Sequence, residues 1–370
     1  MQQAFTARSR YSKRNSAKEP IVKIDKANAP FLSVIVPVYN GEKTLAFCLD
    51  AIAQSDYSLW ELIVVDDGST DRSAFLAERF PALVVRSAEQ QGAAAARNYG
   101  AQLARGNYLF FIDADCEVHP DTFSRMVAFL QRHPEADAVF GSYDDAPKPR
   151  GFVAQYRNLL HHYVHQTGSE EASTFWTGCG VVKRSMFQKV GGFNPQMRML
   201  EDIDLGYRIR RAGGKICLAK HVQVKHHKEW NLFSMIKTDV LDRGIPWTRM
   251  LLSQPSGLVD DLNLQVSSRL SVLAAYTLLL LLASGLLMPK LLLLSLLALA
   301  ALLQLNWHLY CFFNRKRGGL FSVGAIVLHW IYYLYCGVSF GCGVVLHWLD
   351  NRQQKPFVVK SQGEASWRTW

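Results

Sequence analysis

Two carboxylates one residue apart carry the chemistry most visible in this chain. Asp113-Ala-Asp115 follows directly on Tyr108-Leu-Phe-Phe-Ile112, a short aromatic and β-branched run. Such a run predicts a strand buried on both faces of a sheet. A strand of that kind has no room for a free carboxylate. The aspartates are therefore expected past its carboxyl end, in the crevice where open α/β sheets bind ligands. Two carboxylates there can share a cation and a sugar-phosphate ligand, and hard oxygen donors beside phosphate oxygens suit Mn²⁺ or Mg²⁺. An Asp-x-Asp also fits simple helix capping ahead of His119-Pro120-Asp121, so its surroundings must decide.

Those surroundings repeat the pattern. Phe31-Leu-Ser-Val-Ile-Val-Pro-Val-Tyr-Asn40 reads as a second apolar strand, closed by a Pro-x-Tyr-Asn turn that opens a helix near Glu42. Trp60 to Val65 reads as a third and drops into Asp66-Asp67-Gly68, where glycine permits a tight turn. A short strand over Ala82–Val85 comes next. Gly92 then leads a helix over Ala93–Ala104 that holds Arg97 and Asn98. Strands alternating with helices of this length predict a doubly wound, mostly parallel α/β sheet. Two of its strands would end in paired aspartates, placing four carboxylates along one rim. A buried core does not need that arrangement, whereas a site does.

Beyond the strand Ala138–Tyr143, Pro147-Lys-Pro-Arg150 reads as a linker and Gly151–His165 as a helix near the ligand face. Two glycine-bearing turns, in Phe175–Lys183 and at Gly191-Gly-Phe193, surround a further strand. Glu201-Asp-Ile-Asp204 opens a helix with three acids in its first turn. They either complement the helix dipole or supply a general base, and position alone leaves both open. Lys220–Lys228 reads as a strand carrying His226 and His227, and a histidine there can complete a metal shell begun by an Asp-x-Asp.

The 370 residues carry a net charge of +10 and are 49% hydrophobic, but the average hides a division. Residues 1–30 form a basic, apolar-poor arm. Residues 31–230 have the composition of a folded α/β domain. Residues 231–265 begin with an amphipathic stretch, Asn231–Leu252, whose Trp247 and Arg249 suit a membrane headgroup zone. Residues 266–350 hold three apolar spans, about Leu270–Met288, Leu291–Phe313 and Leu320–Leu349, each near or above the ~20 residues that cross a bilayer. Residues 351–370 form a tail. The basic Arg315-Lys-Arg317 places the loop between the second and third spans in the cytoplasm with the α/β domain. Three crossings would leave the tail outside, although it carries Arg352, Lys355, Lys360 and Arg368. A bend or re-entrant hairpin in the glycine-bearing third span would return it. The membrane, not nucleic acid, is the partner expected from the positive charge. The seven cysteines show neither C-x-x-C nor zinc spacing, and no apolar stretch of signal-peptide type opens the chain.

In this order, Val34–Asn40, Val64–Asp71, Gly92–Asn98, Asp113-Ala-Asp115, Thr177-Gly-Cys-Gly180, Gly191-Gly-Phe193 and Glu201–Leu205 resemble the membrane-bound family 2 glycosyltransferases. Those are inverting enzymes of the GT-A fold. The resemblance spans about residues 31–230, and each motif alone is weak. It implies a nucleotide-sugar donor, a UDP-sugar first among them, held by Pro37, Tyr39, Glu42, Asp66, Asp67, Gly92, Arg97 and Asp113. It implies Mn²⁺ or Mg²⁺ on Asp115 and a histidine, the first of the His226-His227 pair in similar sequences. It makes Asp202 the base and sets Gly178, Cys179 and Glu201 on the acceptor side. The acceptor would be a lipid or lipid-linked molecule at the cytoplasmic face of the inner membrane. The Gln-x-x-Arg-Trp motif of processive cellulose and hyaluronan synthases is missing.

Overall fold

The computed structural model describes residues 24–25, 28–253, 265–352 and 367–369. The basic arm up to residue 23 and most of the tail lie outside the described residues. The centre of the molecule is a sheet around β1 (Leu32–Val38), which pairs in parallel with β2 (Trp60–Asp66) on one side and β4 (Tyr108–Ile112) on the other. β3 (Leu83–Ser87) extends it beyond β2. On the other flank lie β5 (Cys116–Val118), β6 (Ala138–Tyr143), β7 (Cys179–Lys183) and β8 (Ile216–His226). With β9 (Trp367–Thr369) the order is β5-β8-β6-β7-β4-β1-β2-β3-β9.

The sheet is mostly parallel, as expected, in that β1, β2, β3, β4, β6 and β8 run in one direction, with β5, β7 and β9 set against them. The ladders β4–β7, β6–β7, β5–β8 and β3–β9 are antiparallel, matching in number the parallel ladders β1–β2, β1–β4, β2–β3 and β6–β8. The chain after β6 leaves through α5 (Phe152–Thr167) and returns as β7, wedged between β6 and β4. Composition changes at that point of the sequence, but strand direction has no local signal.

Alternation along the strands builds two cores. Val34, Val36 and Phe110 join Leu45 and Leu49 of α1 (Leu45–Ala53) and Phe123 of α4 (Thr122–Arg132) on one face. Ile35 and Phe111 join Ala96 of α3 (Ala93–Leu103), Phe187 of α6 (Arg184–Lys189) and Leu205 of α7 (Glu201–Arg211) on the other. Phe110 and Phe111 are adjacent and fully buried on opposite faces, as period 2 requires. Truncating either to Ala costs about 3–5 kcal/mol. A short helix, α2 (Ser73–Ala77), follows β2.

The C-terminal third is helical. α8 (Leu232–Lys237), a π-helical turn (Thr238–Gly244) and α9 (Ile245–Leu252) form one stretch. α10 (Val266–Gly285), α11 (Leu291–Leu305), α12 (Trp307–Arg317) and α13 (Gly319–Arg352) follow. Among the described residues α10 and α13 are long and apolar enough to cross a membrane, and α11 with α12 make a third only if counted together across a 65° bend. The break therefore lies in the second span, not the third. It falls at Asn306, whose amide donates to Ser271 Oγ and the Leu302 carbonyl while Tyr333 donates to its Oδ1. The glycine-bearing third span is one unbroken helix of 34 residues.

Polar contacts flank both ends of α13. Arg317, just before it, donates to Gln155 Oε1 at 2.7 Å and to the Asp145 carbonyl at 2.7 Å. Asp350, near its end, pairs with Arg249 of α9. β9 then pairs with β3.

Candidate active site

The carboxyl ends of β1, β2 and β4 open on one cleft, bounded first by two interlocked turns. Asn40, in a left-handed conformation with φ 50°, accepts the Thr70 N–H at 2.8 Å, and its own N–H donates to Ser69 Oγ at 2.9 Å. The Gly41 and Glu42 amides donate to Ser73 Oγ and Asp71 Oδ2. Pro37, Tyr39 and Glu42 thereby line the cleft, as does Asp67, whose two oxygens accept the Gln91 and Gly92 amides at 2.8 Å each. Burial raises the Asp67 pKa, and those two amides oppose the rise. Gly92, at φ +97°, heads α3 beside it.

Asp66 does not join this rim. It is fully buried, takes the Ser69 N–H at 3.0 Å and faces Arg86 Nε at 3.1 Å. The four-carboxylate rim is corrected to three, because side chains alternate along β2 and its last residue turns under the turn it supports.

Arg97 and Asn98 of α3 tie the rim to α7. Buried Arg97 donates to Asp113 Oδ1 and to Glu201 Oε1, both at 2.7 Å. Asn98 clamps the Phe193 peptide from both ends, accepting its N–H and donating to its carbonyl at 2.8 Å each. Gly192 (φ +68°) is required there, since a Cβ would sit 2.7 Å from Asn98 Oδ1.

The β5–β8 register sets Cys116 opposite His226 and so brings His226 Nε2 to 3.7 Å from Asp115 Oδ2. Burial works to raise the Asp115 pKa. The nearby His226, with the charge of Lys228, outweighs it and holds the carboxyl at about 2. His226 lies flat on Tyr143, ring centroids 4.1 Å apart. His227 goes elsewhere: its Nε2 is 2.6 Å from Glu117 and its ring stacks on Phe47. The geometry thus separates two histidines that the sequence leaves equivalent.

The three acids of α7 separate as well. Glu201 is taken by Arg97, and Asp204 by Arg208 at 2.8 Å. Asp202 faces the cleft and, among the described residues, accepts only the Ile203 N–H, at 2.8 Å. Burial, with Glu201 beside it, raises its pKa to about 7, while Arg97 opposes the rise. Leu200, just before this turn, holds φ at +67°, a strained value for a branched side chain. Gly178 and Cys179 do not reach the cleft. Cys179 is fully buried in β7 opposite Ile112, and a Cβ on Gly178 would strike the Trp176 ring at 2.1 Å. Trp176 and Thr177 line the cleft instead, so the expected acceptor-side pair is displaced by its own neighbours.

This arrangement meets known proteins at three points. The model for glycosyl transferase family 2 matches residues 33–191. A glycosyltransferase of Haloferax volcanii, AglE, is 39% identical over 200 residues, covering 52% of this chain and 66% of that one. Residues 33–191 of this chain form a family 2 glycosyltransferase domain. The PGL/p-HBAD biosynthesis glycosyltransferase of Mycobacterium tuberculosis is 28% identical over 221 residues, 58% of this transferase and 82% of its relative. The mannosyltransferase PcManGT from Pyrobaculum calidifontis, solved with GDP-Man and Mn²⁺, shares the fold at TM-score 0.53 over 96% of this chain and 95% of its own, with 18% identity.

The transferase's cleft encloses ≈ 2790 Å³, well above the ~300–1,000 Å³ of a site for one small ligand. It runs from Asp67 and Gly92 past Asp113, Asp115 and Asp202 to Arg243 of the π turn, then to Val272 of α10 and Phe340 of α13. Tyr143, Trp176 and Arg243 are cleft residues that motif reading does not single out. Tyr143 sits inside a fully buried strand, and Arg243 reads as the polar face of an amphipathic helix. A glycine directly after Arg243 and Pro246 beyond it are the only local signals of an irregular turn there.

Proposed function

We propose that this transferase moves a sugar, with inversion, from a nucleotide-sugar to a lipid or lipid-linked acceptor at the cytoplasmic face of the inner membrane, and that it requires Mn²⁺ or Mg²⁺. The observation that carries the reading is the division of acids. Asp115 stands 3.7 Å from His226, whereas Asp202 faces the same cleft with no ion pair among the described residues, and burial raises its pKa to about 7.

The donor set fits a hard divalent ion. One carboxylate and one imidazole leave most coordination positions to phosphate oxygens and water, as Mg²⁺ and Mn²⁺ prefer. Among the described residues no group of three side-chain ligands converges, so the donor's diphosphate would complete the shell. When bound, the ion would offset the charge that develops on the leaving nucleoside diphosphate.

The remaining work falls to the chain. Asp67, fixed by two amides, and Asp113, fixed by Arg97, present carboxylates to the hydroxyls and base of the nucleoside. UDP is the nucleotide we favour from the resemblance; the structural relative solved with GDP-Man makes GDP the direct competitor. Asp202 takes the proton of an attacking acceptor hydroxyl on the face opposite the leaving group, and a pKa near neutrality suits that task. The basic end of α12, bound to the sheet domain, supports a cytoplasmic site. The exposed apolar faces of α10 and α13, including Leu273, Leu280, Val327 and Val345, support a membrane around them.

Two rivals predict otherwise. A scaffold with a dead transferase domain has no use for an unpaired acid of raised pKa, and a sugar nucleotidyltransferase opens with a glycine-rich phosphate loop where Pro37-Val-Tyr-Asn40 stands. A thermal-shift screen of UDP-, GDP- and dTDP-sugars, each with and without Mn²⁺, tests the proposal. A Mn²⁺-dependent rise with one nucleotide class is expected. No rise with any of them would contradict it.

A further inference from the structure

Arg243 closes the π turn and lines the cleft, partly buried. Among the described residues it makes no ion pair and no hydrogen bond, and only longer-range charge reaches it. Its neighbours explain why. Asp239, one of two acids on the same turn with Asp242, is taken by Arg157 through two hydrogen bonds of 2.6 Å and by the Tyr335 hydroxyl at 2.8 Å. Arg157 is further packed on Trp230, 4.5 Å from its ring centroid. Asp239 is therefore saturated, and Arg243 is left as a guanidinium without a counter-ion. Burial lowers its pKa, Arg157 adds to the effect, and Asp239, Tyr143 and Asp202 oppose it. A partly buried guanidinium that lines a cleft without a counter-ion is suited to an incoming anion.

The turn is built to hold it there. Gly244 lets the backbone approach α13 so closely that a Cβ would lie 2.6 Å from Ser339 Oγ. Past Arg243 the cleft wall becomes apolar, with Leu251, Val272, Leu273 and Phe340. Read from the sheet outward, the cleft presents carboxylates, then a guanidinium, then apolar helix faces. That sequence matches an amphiphile with an anionic group between a reactive head and an apolar tail.

We infer that Arg243 binds a phosphate-class anion of the acceptor, whose apolar part lies along α10 and α13. A guanidinium is suited to phosphate because its planar fork donates two parallel hydrogen bonds. The inference rests on the reading of a lipid-borne acceptor, and it excludes the donor's diphosphate as the natural occupant.

The test uses the full chain in phosphatidylcholine nanodiscs, without donor or turnover. Calorimetry measures decyl phosphate, decanol and inorganic phosphate. Decyl phosphate is expected to bind at least about 10-fold more tightly than either of the others, and Arg243→Gln to lose about 10- to 100-fold of that affinity, with Arg243→Lys between them. UDP and GDP with Mn²⁺ serve as the separate measure of the donor site, and their affinity is expected to be unchanged in Arg243→Gln. Equal binding of decyl phosphate and decanol in the unmodified protein overturns the inference, whatever the variants do. So does an Arg243→Gln protein that still binds UDP with Mn²⁺ but keeps full decyl phosphate affinity. A matching loss of nucleotide affinity assigns Arg243 to the donor instead. Competition by phosphatidylglycerol in the nanodisc, at equal strength, assigns it to bulk lipid headgroups and likewise overturns the inference. Loss of Mn²⁺-dependent nucleotide binding in the unmodified protein contradicts the transferase reading, a separate failure.

Discussion

The two walls of the cleft are made differently. The sheet wall is a lattice of hydrogen bonds: the turns after β1 and β2 close on each other through Asn40, and Arg97 fastens Asp113 to Glu201. The helical wall is held at its back by Arg157 with Asp239, Asp239 with Tyr335 and Arg249 with Asp350. One wall fixes charges to within a hydrogen bond. The other leaves Arg243 and an apolar surface facing the same space. A site that must grip one invariant nucleotide and admit a large second substrate needs both kinds.

The sharpest way to separate the walls is Asp202→Asn. It keeps the shape and removes the basicity, so turnover is expected to fall ~10²–10⁴-fold while donor binding stays nearly intact. The pH profile carries a second check. With the folded carboxyl at about 7, turnover should rise with pH through that value, and the variant should lack that limb. Stability runs the other way. The folded pKa lies above the unfolded one, so the unmodified protein loses stability as pH rises from about 4 through 7. Asp202→Asn should therefore melt higher than the unmodified protein above pH 7. If both turnover and donor binding collapse in this variant, Asp202 belongs to the donor lattice. If Asn or Gln variants of Glu201, Asp202 and Asp204 all keep activity, the acceptor attacks through an anionic oxygen and needs no base.

Next in size is the lattice itself. Arg97→Met strands two carboxylates, one of them buried, and should cost about 3–5 kcal/mol of stability by chemical denaturation. A loss below 1 kcal/mol would mean that the walls do not differ as described.

How far these walls can be read from sequence follows the same division. β1, β2, β4 and α3 announce themselves by apolar runs, glycines and the aspartates that end them. The Asp115–His226 pairing is half legible. The aspartate stands at a strand end, but only the β5–β8 register chooses His226 over His227. Asp66 and Cys179 show where motif reading overshoots, because a residue inside a recognisable motif can point into the core. The antiparallel return of β7, the bend at Asn306 and the return of the tail to β3 depend on pairings between distant segments, and no local pattern encodes those.

A smaller effect is expected from Tyr143→Leu, which removes the ring on which His226 lies. Mn²⁺ affinity should fall ~10-fold with the metal's stoichiometry unchanged, as for other groups that orient a ligand. Rescue by Tyr143→Phe would assign the effect to stacking, and failure of rescue to the hydroxyl. The smallest signal concerns the membrane. Spin labels at Trp247 and at Phe75, an exposed site on α2, should differ in accessibility to a lipid-soluble quencher. Equal aqueous accessibility would remove α9 from the interface.

The central claim is that the Asp-x-Asp stretch holds a divalent cation for a nucleotide donor. Calorimetry of UDP and GDP with and without Mn²⁺, on the unmodified protein and on Asp115→Asn, tests it most directly. The account predicts Mn²⁺-dependent binding of one nucleotide in the former and its loss in the latter. Unchanged affinity and unchanged metal dependence in Asp115→Asn would contradict it.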